Sequence, residues 1–187
     1  MKPRHSASLI LVWRIAEVEA RNLKVSKIEP VHLLLSLCKM VDVDLPALVS
    51  KDNPDRNDVL EELLRETRRV RTIFNVAGVD PKTLRRRLRR VSPDGRSRVQ
   101  DSERLRRSSD AKEVFTDAEH FAQIANTAVY PVHLLYAALL IQDKDRDTTL
   151  VELGVRKSRL LSVTKRDALQ VSVGSPSRSQ AARTRWN

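Results

Sequence analysis

Apolar positions recur every three to four residues along most of this chain, the spacing of helices with one buried face. Leu9, Val12, Trp13, Ala16, Ala20 and Leu23 form such a stripe and predict a helix over about 6–23. Pro30 opens a second helix, because a first-turn proline forfeits no helical hydrogen bond. It runs to about Met40 with Val31, Leu34, Leu35, Cys38 and Val41 inward, and Leu33 and Leu37 widen the face. A short helix or turn follows near 45–49. Asp58-x-x-Glu61 signals the next start, and Leu60, Leu63, Leu64, Thr67, Val70, Phe74 and Ala77 keep the period until Gly78 stops it. Asp80-Pro81 begins another helix, with Leu84, Leu88 and Val91 on one face.

The pattern resumes at Asp110-x-x-Glu113, with Val114, Ala118, Phe121, Ala122 and Ala125 as its stripe. Pro131 then opens a helix with Leu134, Leu135, Ala138 and Leu139 inside. A short helix near 148–153 ends at Gly154, and a last one covers about 157–169. With only four glycines in 187 residues, these stretches predict an all-α chain.

The second half repeats the first. Ile28-Glu29-Pro30-Val31-His32-Leu33-Leu34-Leu35 returns as Val129-Tyr130-Pro131-Val132-His133-Leu134-Leu135-Tyr136, and Gly78-Val79 returns as Gly154-Val155. A repeated helical unit buries its apolar face against its twin. The expected architecture is therefore a pseudo-twofold duplicated helical bundle. The prolines are 101 residues apart but the Gly-Val pairs only 76, so the first repeat carries about 25 additional residues. These are assigned to a helical insertion at about 51–75. The domain reading is a first repeat over 1–91, a basic flexible linker over 92–109, a second repeat over 110–169, and a disordered basic tail over 170–187.

Charge is unevenly placed. The net +11 arises almost entirely from residues 82–107, with 11 basic and 3 acidic side chains, and from three tail arginines. Arg85, Arg86, Arg89 and Arg90 are the candidate electrostatic contacts for an acidic partner. Nucleic acid is the alternative partner, bound through the 82–107 stretch. Against it stand seven aromatics in all, mostly in core stripes, and no nucleic-acid-binding signature.

Little catalytic chemistry is on offer. Cys38 is the sole cysteine, so no intrachain disulfide forms, which fits a reducing, cytoplasmic setting. Its place on an apolar stripe makes it an inert buried thiol rather than a nucleophile. His32 and His133 fall in the first turn of their helices, where a ring nitrogen can bond the local backbone. No other His or Cys lies at ligand spacing, so no metal, cofactor or catalytic residue is assigned. Residues 7–13 are too short an apolar run to span a bilayer.

The tandem (Ile/Val)-x-Pro-x-His-Leu-Leu motif, each copy with its Gly-Val and closing helix, resembles the N-terminal domain of the Clp ATPases and disaggregases. The resemblance covers about 6–91 and 110–169. It implies a non-enzymatic module that binds unfolded clients, adaptors or a Clp ATPase or protease partner in protein quality control. It also implies a binding groove between the repeats, with Val31 and Val132 lining it near the pseudo-dyad. Pro30, His32 and Leu34, with Pro131, His133 and Leu135, form the structural motif. Family members that recognise phosphoarginine carry Glu where Val31 and Val132 stand, so that recognition is not carried over. No Gly-x-x-x-x-Gly-Lys-(Ser/Thr) occurs in these residues, so the resemblance is to an N-domain without its ATPase modules.

Overall fold

The structure, a computed structural model, describes residues 3–50, 52–92 and 105–170. Among them are nine helices: α1 (Ala7–Asn22), α2 (Pro30–Met40), α3 (Leu45–Leu48), α4 (Arg56–Ala77), α5 (Pro81–Val91), α6 (Ser109–Ile124), α7 (Pro131–Leu140), α8 (Lys144–Glu152) and α9 (Lys157–Leu169). Two short strands, β1 (Lys27–Ile28) and β2 (Arg106–Arg107), pair in parallel. The tail and most of the linker lie outside the described residues.

Matching hydrogen bonds establish the dyad. Ser6 N–H donates to the Val129 carbonyl (3.1 Å), and Ser108 N–H donates to the Ile28 carbonyl (3.0 Å). Each repeat's entry segment thus pairs two residues ahead of the other repeat's motif helix. Both serines then cap their helices: Ser6 Oγ accepts from Leu9 N–H and Ser108 Oγ from Ala111 N–H. Helices α4 and α8 end alike. Gly78 and Gly154 take φ of 75° and 70°, and Val79 and Val155 N–H each return to a carbonyl five residues back at 2.8 Å. Only glycine enters that left-handed region without strain.

The two halves are interlocked. Helices α2 and α7 pack on each other at the centre, α1 covers α2, and α6 covers α7. The closing helices cross over, so that α5 meets α8 and α9 meets α4. One continuous core runs through both repeats, including fully buried Leu33, Leu35, Phe74, Leu84, Leu134 and Leu160.

Several boundaries differ from the sequence reading, each for a local reason. Helix α6 starts at the Ser108 cap, leaving Asp110 inside its first turn. Helix α8 starts at Lys144, because Asp143 accepts from Arg146 N–H. The end of the expected flexible linker is ordered: Leu105 is buried, Arg106 and Arg107 form β2, and Arg107 stacks over Trp13 and Phe115. Val91, placed inward with Leu84 and Leu88, is 43% exposed, because α5 ends there at Ser92. The 76-residue offset aligns α8 with residues 68–76 of α4. The extra chain therefore falls on α3, the following turn and the first half of α4.

Candidate functional site

The motif residues hold the fold. His32 Nδ1 accepts from Glu29 N–H (2.8 Å) and His133 Nδ1 accepts from Tyr130 N–H (3.0 Å), tying each first turn to the residue before it. A backbone donor on Nδ1 fixes the neutral tautomer with hydrogen on Nε2. In His133 that Nε2–H donates to the Ala168 carbonyl of α9 (3.1 Å). Burial lowers both pKa values from 6.5 to about 4; Glu19 partly opposes this at His32, and Arg69 reinforces it at His133. Leu34 and Leu135 are buried beside them, and Pro30 and Pro131 open the two helices. Cys38 is fully buried, and that burial holds its thiol well above the usual range, so it is not a nucleophile. Among the described residues no cluster could hold a metal ion.

The two valines part company. Val31 is half-buried against the core, whereas Val132 is fully buried and presents no surface to a partner. Packing of α2 on α7 closes the dyad centre where a groove was expected. An open cleft of about 620 Å³ does lie between the repeats, where α4 meets the start of α9. Its lining is Ala77, Gly154, Arg156, Ser158, Arg159 and Ser162, which is polar rather than apolar.

The arginines of α5 also divide. Arg89 turns inward, and its Nε and Nη2 donate to both Glu19 carboxylate oxygens at 2.5–2.8 Å. Glu19 is itself fully buried, so Arg89, helped by Lys39 at 3.8 Å, neutralises a core charge and is not free for a partner. Arg85 is half-buried with an unpartnered Nε. Arg86, Arg87 and Arg90 are exposed, and among the described residues they make no ion pair. Spaced i,i+3 and i,i+4, they repel one another by about 0.2–0.5 kcal/mol per pair.

The duplication supplies an internal control. At the 76-residue offset, Leu84 stands opposite Leu160 and Leu88 opposite Thr164, all fully buried. Arg85, Arg86 and Arg87 stand opposite Leu161, Ser162 and Val163. The closing helix therefore docks without arginine at these positions.

Sequence reasoning missed Glu19. Its signal was present: a carboxylate three residues after Ala16 on an apolar stripe needs a buried cation. It also missed two arginines at motif-helix C-termini. Arg71 donates to the Val41 carbonyl (2.5 Å), and Arg146 donates to the Ala138 and Ile141 carbonyls (2.6 Å each).

Helices interlocked about a dyad define a duplicated all-helical fold. The family model of the Clp repeat (R) N-terminal domain matches residues 55–153, and the chain belongs to that family. Among solved structures it is similar to the Hsp104 N-terminal domain from Candida albicans, at 17% identity and TM-score 0.59, covering 86% of this chain and 89% of that one. The N-terminal domain of ClpD from Arabidopsis thaliana aligns at 17% identity and TM-score 0.56, covering 86% and 92%. A chain from a malarial protein secretion system aligns at 16% identity and TM-score 0.61, covering 90% and 97%. These likenesses show the fold. No curated protein matches the sequence.

Proposed function

We propose that this chain is a non-enzymatic protein-binding module of Clp-type protein quality control, engaging unfolded clients, adaptors or a Clp ATPase or protease partner. Membership of the Clp repeat N-terminal domain family supports it. So does the assignment of His32, His133 and Cys38 to structure, which leaves surface contact as the chemistry on offer. A reducing cytoplasm suits its single buried thiol, and no described helix is long and apolar enough to cross a membrane.

The test immobilises the whole chain and presents fluorescently labelled, urea-unfolded lysozyme with its thiols blocked, alongside lysate with and without nuclease. The reading expects saturable capture of the unfolded protein and retention of a Clp ATPase or misfolded proteins irrespective of nuclease. Failure to capture the unfolded protein, with every lysate partner lost on nuclease treatment, would overturn it in favour of nucleic-acid binding.

A further inference from the structure

We propose that the exposed face of α5, formed by Arg86, Arg87 and Arg90, is a docking surface for an acidic protein segment. The inference rests on the protein-binding reading above and names the surface and the chemistry of its partner. Three observations carry it.

First, the face is uncompensated: these guanidinium groups are exposed and among the described residues meet no carboxylate. Repulsion between them disfavours the helix they sit on. Second, the fold does not ask for arginine at two of the three positions: Arg86 and Arg87 stand opposite Ser162 and Val163 on α9, while Arg90 stands opposite Arg166. Third, the neighbouring Arg89 is already neutralised by Glu19, which anchors α5 to α1 and holds the outer arginines on a rigid element. Val91 is exposed one turn beyond Arg87 and offers an apolar contact at the end of the charged row.

An acidic peptide fits this face better than nucleic acid. Arg86 to Arg90 spans about 6 Å of helix rise, too short to track a phosphate backbone over many nucleotides. No aromatic ring lies on α5 to stack a base. Carboxylates of an acidic segment can meet the arginines in paired geometry, while its apolar residues cover Val91.

The experiment measures fluorescence anisotropy on the full chain with three probes of equal length. These are a fluorescein-labelled peptide of alternating Glu and Leu, its Gln-for-Glu counterpart, and a single-stranded thymidine oligonucleotide. The Arg86→Gln/Arg87→Gln/Arg90→Gln variant removes the face without touching Arg89, and a melting temperature at or slightly above the parent's certifies folding. The proposal expects the acidic peptide to bind the parent in a salt-sensitive way and the variant about tenfold or more weakly. Equal binding by parent and variant, or binding of the oligonucleotide in preference to the acidic peptide, would overturn it. Unfolded lysozyme is cationic, so its capture does not run through α5. Loss of the acidic peptide with lysozyme capture intact supports the α5 surface, whereas failure of lysozyme capture by the parent strikes the wider functional reading instead.

Discussion

The two motif histidines make this fold sensitive to mild acid. Each ring must stay neutral to accept a backbone N–H on Nδ1, and burial lowers each pKa from 6.5 to about 4. With the folded value below the unfolded one, the unfolded state takes up protons first. The stabilisation is therefore complete above about pH 6.5, falls as the pH drops toward 4, and changes little below that. A shift of that size corresponds to about 3 kcal/mol per histidine, large beside the ~5–15 kcal/mol stability of a typical domain. Glu66 works the other way: its burial raises its carboxyl pKa, so acid relieves a cost there. Comparison with a non-titrating variant isolates the histidines. Asn keeps an acceptor oxygen close to Nδ1, so His32→Asn and His133→Asn retain the cap without the titration. Urea unfolding from pH 7.5 to 4.5 should show the parent losing several kcal/mol and each variant distinctly less. His133→Asn should also be weaker at pH 7.5, because the Ala168 carbonyl loses its donor. If parent and variants lose equal stability over that range, the neutral-cap argument fails.

Other perturbations test the packing. Arg89→Met should cost about 1–3 kcal/mol by leaving the buried Glu19 with only Lys39, 3.8 Å away, while Glu19→Leu with Arg89→Met should recover most of it, as read by urea midpoints. Leu34→Ala and Leu135→Ala should each cost about 2–5 kcal/mol through the cavities left in the shared core; melting like the parent would contradict the assigned faces. Gly78→Ala and Gly154→Ala should each cost about 1 kcal/mol, because the penalty lies in the positive φ and no neighbour crowds an added Cβ.

Periodicity located α1, α2, α5, α7 and α9 to within a residue or so, because each carries an apolar stripe and a start signal: Ser6 before α1, prolines opening α2, α5 and α7, and the Gly154 stop just ahead of α9. The repeat announced the dyad, because Pro30 and Pro131, like Gly78 and Gly154, are backbone requirements that side-chain packing cannot disguise. The crossing of α4 with α9 and of α5 with α8 was illegible, since periodicity shows that a face is buried but not what buries it. The arginines of α5 read alike in sequence. Only the distance from Arg89 to Glu19 separates a core neutraliser from its exposed neighbours. The buried Val132 was misplaced for the related reason that its motif position does not reveal how closely α2 and α7 approach.

The departures from symmetry are mutually consistent. The first half of α4 rests on α1, where Glu62 accepts from both the backbone N–H and the hydroxyl of Ser8 (2.9 Å each). Leu11, Val43, Val59 and Leu60 pack there around Leu45, Val49 and Leu63. At the matching places on α6 stand Asp110 and Glu113, both exposed. Asp110 already brings a carboxylate to that helix's first turn, and Glu113 replaces the apolar contact that Leu11 offers. A second covering helix would find neither a free role for its own carboxylate nor a surface to bury. Likewise Glu19 corresponds to Phe121, which packs on Tyr136 at 4.7 Å between ring centroids. One half thus holds its covering helix with a buried ion pair and the other with aromatic contact. The ion pair draws its closest cation, Arg89, from α5, whose Arg86, Arg87 and Arg90 face outward. The two faces differ in spacing: α9 matches Arg90 with the exposed Arg166 but has Ser162 and the buried Val163 in place of Arg86 and Arg87, so a partner that needs the close-set arginines meets them on α5.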